Sequence, residues 1–390
     1  MKLLVITFDW PPMRGGKATL LHELFTRLNE EKFVIAAKHG NYGGIDKGND
    51  FQTLRIPKFF FNLPLPPIFR PYFIKVAMLY FVSKKALQKF RPDVVVCCQL
   101  LTEGAVGLYL KKEFGIPYIV YTYDTIDVEQ PLNGKDMEIA TEILKNAEKV
   151  VCISSFMAEK LVAIGIEEEK TVLVHPGVDV EQFKPKKPSE KIAERTGYGK
   201  KRIMLSVARL VDRKGLDYAI RAFVDVRKDI KDLRYFIVGD GPEKNKLEKL
   251  AEELGVKEDV VFAGEVGNDE LVDYYNACDV FVLPSIVSEK EFKSEGFGIV
   301  FLEANACGKP VVGTRVSGIV DAVAENESGL LVEQRNVGQL AAAIKKILSD
   351  KRLAEKLGKK GRERAMEKFS WDAVAENFGV NVLQKIEPGK

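Results

Sequence analysis

The 390-residue chain has only three histidines, His22, His39 and His175, too few for a His-rich metal site. Its five cysteines are an odd number without C-x-x-C spacing, which argues against a disulfide framework or a cysteine metal cluster. Cys97, Cys98, Cys152 and Cys278 lie in or beside apolar runs, where a thiol behaves as a small hydrophobe; a reduced, cytoplasmic protein is expected. Charge of one sign is also lacking. With 59 basic and 56 acidic side chains the formal net charge is +3, without the global field that nucleic-acid binders need. No nucleic-acid module is recognisable. The N-terminal MKLLVITFDWPP is too short and too soon interrupted for a signal peptide. What remains is 46% hydrophobic and 29% charged, the proportions of a soluble globular protein. At about 150 residues per domain, two or three domains are expected.

Short apolar, β-branched or aromatic runs recur at α/β spacing: 2–8, 33–38, 93–98, 118–123, 150–153 and 171–175. Helical patterns lie between several of them, such as Leu20, Leu21, Leu24, Phe25 and Leu28 on one face. Continuous apolar strands alternating with helices imply a parallel sheet covered on both sides. The polar, two-proline run KPKKPSEK (184–191) reads as an interdomain linker. The alternation restarts at 202–208, 233–239, 260–264, 279–284, 310–313 and 329–332. The fold class expected is α/β, with two doubly wound Rossmann-like domains facing across a cleft. Each would offer a ligand crevice at the carboxyl ends of its strands. The stretch 370–386 reads as a separate amphipathic helix.

The segment SEGFGIVFLEANACGKPVVG (294–313) carries most of the chemistry. Glu295 and Glu303 flank Gly296-Phe297-Gly298, and Ile299–Ala306, including Val300, reads as a helix. Small residues at a helix start free backbone N–H groups to face an anion, with the helix dipole adding attraction. Glu303, about one turn in, is placed to accept from a pair of sugar hydroxyls, since an ionised carboxylate only accepts. Glu295 could take a second polyhydroxyl group beyond the phosphates. Two glutamates at this spacing are by themselves more often solvated charge; the glycines and flanking strands favour the functional reading. In SVARLVDRKGLDYAI (206–220), Arg209 and Lys214 lie between a strand and a helix, suited to neutralising a diphosphate leaving group. Alone this segment reads equally well as a basic loop. Gly15-Gly16 follows the first strand and lets backbone approach a ligand closely, although a glycine turn at a helix start explains it as well.

A local composition shift lies between Asp50 and Asp93, where no acidic residue occurs. These 42 residues hold eight basic side chains (Arg55, Lys58, Arg70, Lys75, Lys84, Lys85, Lys89, Arg91) and ten aromatics (Phe51, Phe59, Phe60, Phe61, Phe69, Tyr72, Phe73, Tyr80, Phe81, Phe90). The prolines of FFFNLPLPPIFRP exclude a buried strand, and the run is too short to span a bilayer. Residues 72–90 read as a basic helix with aromatic bulk, the pattern of interfacial binding to anionic lipid. The plainer reading makes the aromatics core and the lysines a solvated face. Peripheral attachment to the cytoplasmic face of a membrane, through residues 51–92, is the expectation.

Together Gly15-Gly16, ISSFMAEKL (153–161), HPGVDVEQF (175–183), VARLVDRKG (207–215), IVGDGP (237–242), the Glu295–Glu303 motif and FSW (369–371) resemble the retaining GT-B glycosyltransferases of family 4, the glycosyl transferases group 1. The resemblance implies a hexose transferred from a nucleotide-diphosphate sugar to an acceptor hydroxyl, mannosyl- or glucosyltransferase-like, on a lipid or glycan, with no metal or cofactor. It implies an acceptor-binding domain, 1–183 plus 370–390, and a donor-binding domain, 184–369. Arg209 and Lys214 would hold the diphosphate, Glu303 the ribose, and Glu295 with the Gly296–Gly298 backbone the sugar; Gly16, Ile299 and Val300 complete the donor contacts. Family members place a histidine after the strand matching 118–123; here Asp124 and Thr125 stand there, making Asp124 the candidate catalytic group beside Glu295, Arg209 and Lys214. A non-catalytic nucleotide-sugar-binding protein is the alternative. An NAD-dependent oxidoreductase is a further one, though neither the first strand–helix turn nor IVGDGP has the three-glycine fingerprint.

Overall fold

The computed structural model describes residues 1–13, 15–57, 71–123, 134–288 and 294–387. The chain divides into two compact units, Met1–His175 with Trp371–Lys390, and Pro176–Ser370.

The first unit is built on the strands β1 (Lys2–Thr7), β2 (Glu31–Lys38), β3 (Gln52–Pro57), β4 (Val94–Cys97), β5 (Tyr118–Thr122), β6 (Lys149–Cys152) and β7 (Thr171–Leu173). They form one parallel sheet in the order β3-β2-β1-β4-β5-β6-β7. VVVC of β4 and YIVYT of β5 are buried at every position, as strands covered on both faces must be. The helix Gly16–Arg27 buries Ala18, Leu20, Leu21, Leu24 and Phe25, the 3.6-residue stripe that the sequence shows. The last helix, Trp371–Asn381, belongs to this unit. Phe378 meets Phe25 edge-on at 6.0 Å and stacks on Tyr121 at 5.9 Å, and Arg27 bridges to Asp372 at 3.0 Å.

The second unit holds β8 (Arg202–Val207), β9 (Leu233–Val238), β10 (Val260–Gly264), β11 (Val280–Leu283), β12 (Val311–Thr314) and β13 (Gly329–Val332), parallel in the order β10-β9-β8-β11-β12-β13. The doubly wound α/β architecture is thus present in both units.

Three details differ from the sequence reading. The unit boundary lies at 175/176 rather than 183/184, because Val178 pairs with Ser370, Phe183 packs on Tyr275 at 5.8 Å and the Lys186 amide bonds Asn276 at 2.8 Å. The return falls at 370/371, one residue later than expected. The strand β3 lies inside the segment read as membrane-facing. Its Arg55 is buried and pairs with Asp46 at 2.6 Å. Phe51 packs on Trp10 and Phe90 on Phe33, so this part of the aromatic and basic set serves the fold. Residues 58–70, with Lys58, Phe59, Phe60, Phe61, Phe69 and Arg70, lie outside the described residues. All five cysteines are free and buried.

Candidate functional site

In the second unit the chain runs outward from β8 through β9 to β10, then restarts at β11 on the other flank of β8 and runs through β12 to β13. The connections that follow β8 and β11 therefore lead to opposite flanks of the sheet, and this switch point, at the carboxyl ends of the two strands, is where such sheets take ligands. The β8 loop supplies Arg209, Arg213 and Lys214. The β11 side supplies Ser285–Ser288 and, past 289–293, Glu295.

The two loops are pressed backbone to backbone. Ile286 N–H donates to the Arg213 carbonyl at 2.8 Å. Gly215 is left-handed, with φ +62°, and a Cβ there would stand 2.1 Å from the Pro284 oxygen. Only glycine permits both the angle and the approach. Gly215→Ala should therefore destabilise the protein by about 2–5 kcal/mol, combining left-handed strain of about 1–2 with overpacking of about 1–3. A drop in Tm in a thermal melt measures it; an unchanged Tm would show that the loops can part freely.

This contact brings opposite charges together. Lys214 Nζ donates to Glu295 Oε2, and Arg213 Nη1 lies 3.5 Å from the same oxygen. The Lys214 and Glu295 side chains are only 11% and 12% exposed. Burial pushes the Glu295 carboxyl up, but Lys214 and Arg213 outweigh it and hold the group below the usual carboxylate range. The Gly318 amide donates to the Glu295 carbonyl at 3.3 Å, tying the β12 loop to the same residue. Arg209 is different: it is exposed, and its guanidinium makes no hydrogen bond or ion pair among the described residues.

The helix Ile299–Ala306 starts at Gly298, φ +95°, where a Cβ would sit 2.8 Å from the Phe301 ring. No side chain caps it, and the Ile299 and Val300 amides have no partner among the described residues. They form the positive end of the helix dipole. One turn in, Glu303 accepts from the Tyr275 hydroxyl at 2.6 Å. Burial raises the Glu303 carboxyl to about 7, opposed by the Tyr275 hydrogen bond. Burial, then the neighbouring Glu303, pushes the Tyr275 phenol up and keeps it a donor. The Phe297 ring is buried and meets Phe369 at 5.9 Å, so only its main chain can face a ligand, as for Gly296.

The first unit has its own crevice between β1 and β4. Gly15, at φ +143°, precedes the helix that opens at Gly16. The Gln99 amide reaches Asp9 Oδ2 at 2.8 Å, and Lys17 Nζ lies over the Tyr123 ring at 4.9 Å. Gly16 thus belongs to a different unit from the other donor candidates. Asp124 lies outside the described residues.

The structure adds Arg213 and Tyr275 to the site. Arg213 adjoins Lys214 and was legible as a third cation; Tyr275 stands 28 positions before Glu303 and carries no local signal.

Residues 14–182 match the family model described as Glycosyltransferase Family 4, and residues 188–364 the model described as Glycosyl transferases group 1. A GDP-mannose-dependent alpha-(1-6)-phosphatidylinositol monomannoside mannosyltransferase of Mycolicibacterium smegmatis is 36% identical over 372 residues, 95% of each chain. Its namesake from Mycobacterium tuberculosis H37Rv is 27% identical over 382 residues, 96% of each. Among solved structures, Anabaena HepE in complex with UDP superposes with a TM-score of 0.81 at 19% identity, covering 99% of this chain and 100% of that one. Sucrose-phosphate synthase of Thermosynechococcus elongatus gives 0.75 at 24%, covering 98% of both. On its own sequence and fold, the chain belongs to the group 1 glycosyltransferases and has their GT-B fold of two Rossmann-like domains.

Proposed function

We propose that the chain transfers a hexose, with retention of configuration, from a nucleotide-diphosphate sugar to the hydroxyl of a lipid-linked acceptor. The observation that carries this is the gathering of cations, open helix amides and carboxylates at the carboxyl ends of β8 and β11. Arg209 and Lys214 meet the diphosphate, the Ile299 and Val300 amides face its oxygens, and Glu303 accepts from the ribose hydroxyls. Glu295, held ionised by Lys214 and Arg213, accepts from hydroxyls of the sugar. In the transfer the bond from the anomeric carbon to the diphosphate oxygen breaks with its electron pair going to the phosphate. The acceptor oxygen bonds to the same face of that carbon, and its proton passes to the departing phosphate. Two cations and the helix end stabilise the charge that develops there, and the reading needs no metal.

The relatives' names favour GDP-mannose as donor and a phosphatidylinositol mannoside-like acceptor. A lipid acceptor agrees with the acid-free segment 51–92 and with Phe81, 63% exposed on the helix Pro71–Lys89. No helix among the described residues is long and apolar enough to cross a membrane, so this reading has the protein meet lipid at the bilayer surface.

The test is a thermal-shift screen of GDP, UDP and their hexoses, followed by product analysis. The correct nucleotide should stabilise the protein by about 2.7 kcal/mol at a hundredfold excess over Kd. Absence of any shift with every nucleotide diphosphate would refute the reading. A shift without turnover would leave a binding protein.

A further inference from the structure

We propose that the first unit holds one alkyl chain of an anionic lipid in the groove between the strand β3 and the helix Pro71–Lys89, with the lipid phosphate on Lys75 or Lys85. This rests on the lipid-acceptor reading above and adds a binding site to it.

Strand β3 is the edge of its sheet, and it and the helix line one cavity from opposite sides. The helix turns Val76, Leu79, Ser83 and Ala86 into the core, a spacing of three and four that leaves the neighbouring stripe, Lys75, Met78, Val82 and Lys85, facing sideways. Between that stripe and Leu54 and Ile56 of β3 is a cavity of about 260 Å³. It lies just below the usual range of small-molecule sites, about 300–1,000 Å³, room for one chain rather than a whole lipid.

Its polar groups are few and of one sign. Arg55 is spoken for: it pairs with Asp46 at 2.6 Å and donates to the Pro11 and Ala37 carbonyls. Lys75 and Lys85 make no hydrogen bond or ion pair among the described residues. Ten residues apart on one helix, they stand roughly 15 Å from each other along its axis, so a chain lying in the groove ends near a free ammonium at either end. With no acidic residue from 51 to 92, the occupant these charges select is an anion with an apolar tail. Phe81, between the groove stripe and the solvent, is placed to enter the bilayer interface beside it.

Calorimetry with the full chain and monomeric decyl phosphate, decyl maltoside and inorganic phosphate tests the proposal. Decyl phosphate should bind at least tenfold more tightly than inorganic phosphate, and Met78→Trp, which fills the groove, should erase that gain. The surface variant Lys75→Gln/Lys85→Gln keeps the groove and should weaken decyl phosphate at least tenfold while sparing decyl maltoside; it serves if Met78→Trp does not fold. Equal binding of decyl phosphate and inorganic phosphate would overturn the proposal. So would a chain-length gain that survives Met78→Trp, or binding to phosphatidylglycerol vesicles that both variants leave intact, since surface charge would then act alone. Donor hydrolysis, read on the same samples, should be unchanged in both variants. A wild-type protein that binds the alkyl phosphate but shows no thermal shift with any nucleotide diphosphate would sink the transferase reading and leave the groove standing.

Discussion

Arg209→Ala should lower turnover of the nucleotide-diphosphate hexose by about 10²–10³-fold, the effect of removing one preorganised charge from a developing anion, while leaving the melting temperature unchanged. The arginine is exposed and holds nothing in place, and exposed substitutions of this kind stay within about 0.5 kcal/mol. Lys214→Ala should lose comparable activity and stability as well. It strips the buried Glu295 of its nearest cation, leaving Arg213 at 3.5 Å; breaking a buried pair costs about 3–5 kcal/mol, and Arg213 places this one at the lower end. Steady-state kinetics and melts of the two variants, run side by side, decide the matter. An Arg209 variant with full turnover would remove that residue from the diphosphate site. A Lys214 variant with unchanged Tm would mean that Glu295 does not depend on it.

Donor affinity should rise with pH through about 7. The Glu303 carboxyl, raised by burial to about 7, is roughly one-tenth ionised at pH 6 and nine-tenths at pH 8. If the ionised form accepts the ribose hydroxyls, the donor KM falls nearly tenfold across that interval. The free protein should show the opposite trend in stability. A carboxyl whose folded value lies above its ordinary 4.5 favours folding at low pH, where it is protonated in both states. That contribution is lost as pH rises from about 4.5 to 7 and stays lost above. Glu303→Gln should flatten both profiles, because the amide matches the neutral acid in shape and does not titrate. Titrations of KM and Tm from pH 5 to 8.5 give the answer. A variant that keeps the wild-type slope would assign the titration to another group.

The sheets were legible because parallel strands covered on both faces are written as unbroken apolar runs, such as VVVC at Val94–Cys97 and the buried strand Tyr118–Thr122. The strand β3 was not. As an edge strand it needs one apolar face only, and QTLRIP mixes polar and apolar residues and ends on proline. The helix after Gly298 and its Glu303 were legible from the glycines and the small-residue start. That Lys214 and Glu295 share an ion pair could not be read. The two lie 81 positions apart, and their meeting depends on β11 returning to the flank of β8, a matter of sheet order. Arg55 shows the converse error. Composition counted it with the surface cations, while Asp46, nine positions earlier, buries it.

The bridge between Val178 and Ser370 sets a consequence for truncation. The Val178 amide also donates to the Phe369 carbonyl at 2.7 Å, so the outgoing and returning segments are stitched side by side just where the chain changes units. A nick in the returning segment leaves residues 1–175 covalently joined to the second unit through the outgoing one, whereas a nick in the outgoing segment leaves them held only by the packing of Trp371–Asn381, with Phe378 on Phe25 and Tyr121. Ending the chain at Ser370 instead strips Phe378 from Phe25 and Tyr121, and the damage from that deletion falls on the amino-terminal half.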